Sequence, residues 1–331
     1  MSVLKDKVVT VFGGSGFVGR NLVAALVKEG AIVRVATRHK SSCYHLRTGA
    51  LVGQVVPMVV DYGHLTSLKK AVRGSDFAVN TIGILTESRK GQFETVHCQM
   101  AEKIAKACKK EKVGHFIHIS ALGADADSKS RYQQSKANGE AAVLKVYPAA
   151  TILRPSIIFG EGDGFFSRFA KLSRLLPTLP LIGGGKTKFQ PVFVGDVVEA
   201  CLSTFAHHGN TPDFFEGRVI ECAGPEVYTF KELIKFIQSE IGKETHLFNM
   251  PVWLAKFEGW FWQKLPGKIL TVDQVRTLQY DNVESGQHLT LEDIDVIPTP
   301  VETVVPYYLA AYRTGGEFRH GSVSGAKKAG H

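Results

Sequence analysis

The sequence predicts an α/β fold, a doubly wound parallel sheet with a smaller C-terminal lobe interleaved with it. Three observations carry that expectation. Short β-branched runs alternate with helix-length amphipathic segments from the start of the chain to Pro155, the punctuation of βαβ units. A glycine-rich turn, Gly13-Gly14-Ser15-Gly16-Phe17-Val18-Gly19, separates the first run from the first helical segment. After Pro155 the rhythm loosens into glycine- and proline-rich turns. Strands that alternate with crossover helices pair in parallel and take helices on both faces, so the first two observations give the sheet and the third gives the lobe.

Taken in order, Val8 to Phe12 reads as a strand, Phe17 to Glu29 as a helix opened by the glycine turn, and Ile32 to Ala36 as a second strand. Val55 to Val60 is a third strand, Leu65 to Val72 a helix, and Phe77 to Asn80 a fourth strand. A long helix near Phe93 to Lys110 follows, then a strand from Phe116 to Ile119, a helix near Tyr132 to Val146 and a strand from Thr151 to Arg154. Beyond it lie turns such as Gly160 to Gly164 and Gly183 to Gly185, with helices near Thr229 to Ile241 and Val252 to Trp262. The expected division is a nucleotide-binding domain over 1–160 and a smaller substrate or partner lobe over 161–313. A tail over 314–331, rich in Gly, Ser, Lys and His, is expected to be mobile.

Composition narrows the function classes. In 331 residues, 44% are hydrophobic and 21% charged, which describes a globular protein and excludes disordered, collagenous and coiled-coil chains. No stretch approaches the roughly 18 uninterrupted apolar residues of a spanning helix. The net charge of +9 favours anionic company such as a phosphate-bearing ligand, an acidic protein surface or lipid headgroups. No RNP motif, zinc finger or arginine-rich arm accompanies that charge, so no nucleic-acid partner is expected. The five cysteines, Cys43, Cys98, Cys108, Cys201 and Cys222, are scattered, odd in number and without CxxC, which fits buried thiols in a reducing compartment. The histidines His115, His118, His207 and His208 match no zinc spacing, and no metal is expected. The first apolar run begins by Val8, leaving no room before it for a secretory or transit segment, so a bacterial cytoplasm is the expected address.

The glycine turn stands directly after a strand and opens a helix, the context in which such a fingerprint means dinucleotide binding. Glycines there let backbone N–H groups approach a pyrophosphate at the positive helix end and let the helix pack on the strand. The fold expectation therefore becomes a Rossmann-type sheet with Gly13, Gly14, Ser15, Gly16, Phe17 and Val18 at the cofactor. About 20 residues on, an NAD site would offer a carboxylate to the ribose 2′-OH. The segment Thr37-Arg38-His39-Lys40 offers none. Arg38 can instead pair bidentately with a 2′-phosphate, which favours NADP(H). Tyr132 and Lys136, four apart at the start of a predicted helix, share one face. An ammonium there can lower the phenol pKa and hold a ribose hydroxyl, making Tyr132 a general acid or base.

Combined with Asn80-Thr81-Ile82-Gly83 after the fourth strand and Ser120 at the end of the fifth, these motifs resemble the extended or atypical branch of the short-chain dehydrogenase/reductase superfamily along nearly the whole chain. More narrowly, Ser130-Arg131-Tyr132-Gln133-Gln134-Ser135-Lys136, Leu153-Arg154-Pro155-Ser156 and Gln190-Pro191-Val192-Phe193-Val194-Gly195-Asp196 resemble the NADPH-binding accessory subunits of respiratory complex I and their bacterial relatives. The resemblance implies that Asp61 meets the adenine, that Asn80 and Gly83 line the cofactor and that Pro155 lies beside the nicotinamide. Asp61 is equally suited to a turn before a helix. One position departs from active members: the carbonyl-polarising hydroxyl commonly lies one residue beyond the first strand-end serine, where this chain has Ala121. Either Ser120 fills that role, or the Tyr132 and Lys136 pair only grips ribose.

All three tryptophans fall in the segment Trp253 to Trp262, where Trp253, Phe257, Trp260 and Phe261 share a helical face beside Lys256, Lys264 and Lys268. Such a face packs on the protein's own core, binds a partner or contacts lipid headgroups. The expected function is an NADPH-binding peripheral accessory or assembly subunit of respiratory complex I, partnered by its other subunits. Its place would be the inner face of the bacterial membrane, or the matrix in a mitochondrion. The alternatives are a free-standing NAD(P)H-dependent reductase, dehydratase or epimerase using Tyr132 and Lys136, and an NADP-sensing regulator.

Overall fold

Strands covered by helices on both faces read as nearly continuous apolar runs, and the first half of the chain is built from them. The computed structural model describes residues 2–207, 212–254 and 272–313. In it β1 (Val8–Phe12), α1 (Phe17–Lys28), β2 (Ile32–Thr37), β3 (Val55–Val59), α2 (Leu65–Val72), β4 (Phe77–Asn80), α3 (Ala101–Lys110), β5 (His115–Ile119), α4 (Arg131–Val146) and β6 (Thr151–Pro155) follow the expected order. Then come β7 (Ile158–Phe159), α5 (Phe166–Leu175), β8 (Thr178–Ile182), β9 (Lys188–Phe189), β10 (Val192–Phe193), α6 (Val194–His207), α7 (Pro212–Phe215), β11 (Val219–Cys222), β12 (Tyr228–Thr229), α8 (Phe230–Ile241), β13 (His246–Met250), α9 (Val272–Thr277) and α10 (Val301–Leu309).

Seven strands form one parallel sheet in the order β11-β6-β5-β4-β1-β2-β3. On one face Val9, Val11, Val33 and Val35 pack against Leu22, Val23 and Leu26 of α1 and Val197, Val198, Cys201 and Phe205 of α6. On the other, Phe12, Ala78, Phe116 and Ile152 meet Leu68 of α2, Ile104 and Ala105 of α3 and Val143 of α4. The chain thus crosses β6 into a second region, returns through α6 and β11 to complete the sheet, and leaves again. A third core gathers Phe166 of α5, Phe230 and Ile237 of α8 and Val305 and Leu309 of α10 around Phe159. All five cysteines are free and buried, and among the described residues no helix is long and apolar enough to cross a membrane.

Two differences from the sequence expectation matter for the site. The helix expected over Phe93 to Lys110 opens with a π-helical turn, Glu94–Met100, before α3. There the His97 carbonyl lies where a Cβ on Gly139 of α4 would stand, so the wide turn and the glycine together let α4 approach. Of the expected helix Val252 to Trp262, residues 252–254 are helical and Trp253 is 71% exposed. Phe257, Trp260 and Phe261 lie outside the described residues, as does the tail 314–331.

Candidate active site

In a doubly wound sheet the ligand crevice opens at the carboxyl ends of the strands, where the connections on either side turn to opposite faces. Here that point lies between β1 and β4, with α1 on one face and α2 and α3 on the other. The sequence candidates line up along this edge. Asp61 follows β3, Arg38 follows β2, Gly13 follows β1, Asn80 ends β4, Ser120 follows β5 and Pro155 ends β6. Six neighbouring strands spaced about 4.8 Å apart span about 24 Å, an elongated crevice of the kind an extended dinucleotide needs.

The glycines of the first loop divide into two groups. Gly13 has φ +80°, and a Cβ on it would meet Thr81 Oγ1 at 2.7 Å, while one on Gly14 would meet Val35 Cγ1 at 2.8 Å. A Cβ on Gly19 would run into the Gly13 carbonyl and reach Gly14 Cα at 2.7 Å. These three are required by packing. Gly16 is different: it is exposed, has ordinary extended backbone, and a Cβ there would meet only Gly13 O, at 3.2 Å. It is the N-cap of α1, and no side chain caps that helix, so the first-turn N–H groups face the crevice beside exposed Ser15 and half-buried Phe17 and Val18.

Toward β3 the edge is cationic. Arg38 is exposed and makes no ion pair or side-chain hydrogen bond among the described residues, and no carboxylate ends β2. Tyr62 donates to Ala36 O at 3.0 Å. Burial pushes its phenol up to about 12, with the Arg38 charge pulling the other way. Asp61 shapes the turn before α2: its Oδ1 accepts from Gly63 N–H at 2.8 Å and its own N–H donates to Ser67 Oγ at 2.9 Å.

Toward β6 the edge is polar and buried. Lys136 Nζ donates to Ile119 O at 3.4 Å, and a Cβ on Gly83 would lie 3.3 Å from that nitrogen, so the loop after β4 passes directly beside the lysine. Burial lowers Lys136 to about 8 against the opposing pull of Glu140. Tyr132, half-buried one turn earlier, is raised by burial to about 12. Asn80 is buried, its amide donating to His118 Nδ1 at 3.0 Å and its Oδ1 accepting from Ile82 N–H at 3.2 Å. Ser120 is 3% exposed, and its Oγ has no partner among the described residues. Ala121 beside it is buried, and the Pro155 carbonyl accepts from Leu122 N–H at 2.8 Å.

Two histidines beside Lys136 escaped the sequence reading as site residues. His97 accepts from Ile84 N–H at Nε2 (3.1 Å), so Nδ1 carries the proton and donates to Ser135 Oγ at 2.8 Å; Ser135 in turn donates to Tyr132 O at 2.8 Å. The ring also stands edge-on to Tyr132 at 5.7 Å. Burial first, then the Lys136 charge, lowers both His97 and His118 to about 3, so both are neutral. His118 was discoverable only through its strand register with Asn80, and His97 only through the unexpected π-helical turn. Among the described residues no cluster of His, Cys, Asp and Glu could hold a metal.

The donor set fits a dinucleotide: an uncapped helix end at an open glycine, a guanidinium at one end of the crevice, and at the other an ammonium and a buried hydroxyl that lacks a partner among the described residues. Comparison with known proteins agrees. The sequence pattern of the NAD dependent epimerase/dehydratase family matches residues 9–216. The chain is 34% identical over 320 residues to the mitochondrial NADH dehydrogenase (ubiquinone) 1 alpha subcomplex subunit 9 of Arabidopsis thaliana, covering 93% of this chain and 79% of that protein. To the mitochondrial NADH-ubiquinone oxidoreductase 40 kDa subunit of Neurospora crassa it is 30% identical over 318 residues, 96% of this chain and 82% of that one. An NADPH-dependent quinone oxidoreductase of Escherichia coli, solved with NADPH, superposes with TM-score 0.68 over 91% of this chain and 99% of its own at 18% identity, a likeness of fold. With the family pattern spanning most of the chain and a glycine loop and Tyr132–Lys136 helix set along one crevice, the chain belongs to the NAD dependent epimerase/dehydratase family, whose cofactor is a nicotinamide dinucleotide.

Proposed function

We propose that this chain is an NADP(H)-binding accessory or assembly subunit of respiratory complex I, in which the nucleotide is held mainly as a structural element. The observation that carries this reading is similarity along nearly the whole chain to two proteins named as subunits of that complex. The preference for NADP(H) rests on Arg38, an exposed guanidinium at the end of a strand that offers no carboxylate. The first turn of α1 would face the pyrophosphate, Asp61 the adenine, Lys136 the ribose, and Asn80, Gly83 and Pro155 the nicotinamide half. A bound nicotinamide supplies hydride chemistry. The residues around it favour holding over turnover, because burial raises the Tyr132 phenol with no offsetting effect from Lys136 and position 121 carries no hydroxyl.

The proposed place is the inner face of a bacterial cytoplasmic membrane, or the matrix side in a mitochondrion, beside other complex I subunits. Exposed Trp253, with Phe257, Trp260 and Phe261, would contact the membrane surface. A second reading, a free-standing reductase, dehydratase or epimerase, draws support from Ser120, whose buried hydroxyl, without a partner among the described residues, would be free to donate to a substrate carbonyl. Complementing a deletion strain with Tyr132→Phe and Lys136→Ala and measuring membrane NADH:quinone activity separates the two. An accessory subunit tolerates Tyr132→Phe and suffers from Lys136→Ala. A reductase loses about 10²–10⁴ in its own turnover with Tyr132→Phe while the respiratory activity stays normal. Full membrane activity in the absence of the protein refutes the subunit reading.

A further inference from the structure

The helix that carries Tyr132 and Lys136 is held at its start by the far end of the chain. The first turn of an α-helix has N–H groups without intrahelical partners. In α4 the local cap, Ser130 Oγ, accepts from Gln133 N–H at 3.5 Å, the long limit of a hydrogen bond. The two preceding donors are taken by Asp273 in the first turn of α9. Its Oδ1 accepts from Arg131 N–H at 2.8 Å and its Oδ2 from Tyr132 N–H at 3.0 Å. Ser130 Oγ joins the same group, 3.2 Å from Asp273 Oδ2 and 2.9 Å from Thr277 Oγ1, and Thr277 Oγ1 donates to the Asp273 carbonyl at 3.0 Å. A carboxylate at this position also meets the positive end of the α4 dipole. From the opposite side Glu87, in the loop after β4, pairs with Arg131 at 3.1 Å.

We propose that Asp273 is a positioning residue for the nucleotide site: by fixing the backbone at Tyr132 it sets where the phenol and, one turn on, the Lys136 ammonium stand against the ribose. The inference rests on the reading above that the crevice holds a nicotinamide nucleotide, and it adds that grip on the ribose depends on a residue of the C-terminal region. An ordinary N-cap lies next to its helix in sequence. This one stands 141 residues from Tyr132, so the first turn of α4 is correctly placed only when α9 is docked. The edge-on contacts of the Tyr132 ring with Phe93 and His97, at 5.9 and 5.7 Å, leave the ring little room to compensate if the backbone shifts.

The test uses the full chain with Asp273→Ala and Asp273→Asn, titrated calorimetrically with NADPH and separately with NADH, alongside hydrogen exchange of the amides of residues 131–133. Loss of a helix cap corresponds to a roughly 2- to 30-fold change in an equilibrium constant. Asp273→Ala is therefore expected to weaken NADPH at least threefold and to speed exchange of those amides. Asp273→Asn, which keeps an acceptor oxygen, is expected to restore more than half of the lost affinity on a logarithmic scale. A folded Asp273→Ala with NADPH affinity within twofold of wild type overturns the proposal, as does an Asn variant no better than Ala. If Asp273→Ala does not fold, Asp273→Ser, which removes one of the two acceptor oxygens and shortens the reach of the other, is judged by the same threefold and twofold limits. Wild-type protein that takes up neither nucleotide defeats the functional reading, and the inference with it, whereas unchanged affinity in the variants defeats the positioning role alone.

Discussion

Replacing Gly16 by Val puts a branched side chain at the mouth of the crevice while asking little of the fold. Gly16 has φ −77° and ψ 178°, a conformation open to any residue, and a Cβ there meets only Gly13 O at 3.2 Å. The folding cost is that of an apolar N-cap, about 1 kcal/mol, or a shift of about 1–2 °C in the melting temperature of a chain this long. The binding cost is larger. A phosphate kept from the α1 first turn forfeits hydrogen bonds worth about 1.5–3 kcal/mol each. Losing two of them lowers affinity by about a hundredfold or more. Thermal unfolding of the nucleotide-free protein and calorimetric titration with NADPH read the two effects separately. Gly19→Ala is the reciprocal case. Its gain in helix propensity of about 1 kcal/mol is outweighed by collision with Gly13 O and Gly14 Cα, since overpacking costs about 1–3 kcal/mol, so it lowers the melting temperature. A folded Gly16→Val that carries nucleotide at wild-type occupancy would refute this account of the loop.

NADPH is expected to bind more tightly than NADH by about 1–3 kcal/mol, and Arg38→Ala to remove most of that preference without moving the melting temperature, since the side chain is exposed; equal affinities in the wild type would count against a 2′-phosphate contact. Lys136 falls from its ordinary 10.5 to about 8 in the folded chain, so between those values the unfolded state holds more protons and stability from this group rises with pH. Its penalty is fully present below about pH 8, and chemical denaturation should show nucleotide-free wild type gaining on Lys136→Met from pH 8 to 10.5. A difference between the two that stays flat over that window would place the lysine in water. Tyr132→Phe should cost nucleotide affinity no more than one hydrogen bond, about 0.5–1.5 kcal/mol, and a larger calorimetric loss would mean that the phenol holds the ligand directly.

The parts of the molecule legible in the sequence are those with local repetition. β1, β4 and β5 are buried along nearly every residue, and so read as apolar runs. The glycine loop is confined to seven residues, and Tyr132 and Lys136 are one helical turn apart. What escaped has no local pattern. The two-residue strands β7, β9, β10 and β12 are too short for any periodicity, and β11 joins the sheet only because α6 returns the chain to α1. The partners of the α4 first turn come from α9. That the Ser120 hydroxyl has no partner among the described residues is a property of its surroundings, visible only once β5 and β6 are packed side by side.

Burial acts on the Tyr132 and Lys136 pair in opposite directions, and the outcome bears on what the crevice is for. A general acid or base works best with a pKa near the operating pH, yet the phenol stands near 12 and keeps its proton. The lysine, near 8, is still mostly charged at neutral pH and can donate. Such a pair holds hydroxyls better than it moves protons. The neutral imidazoles of His97 and His118 beside it add no charge to reverse that balance. The Ser120 hydroxyl, buried and without a partner among the described residues, costs about 1–3 kcal/mol, which an occupant of the crevice accepting from it would return whether it is held or turned over. Occupancy then stabilises the whole chain by mass action, about 4 kcal/mol at a thousandfold excess over the dissociation constant. Because α4 is tied through Asp273 to α9, that stabilisation would extend to the C-terminal region, as a subunit whose nucleotide serves assembly requires.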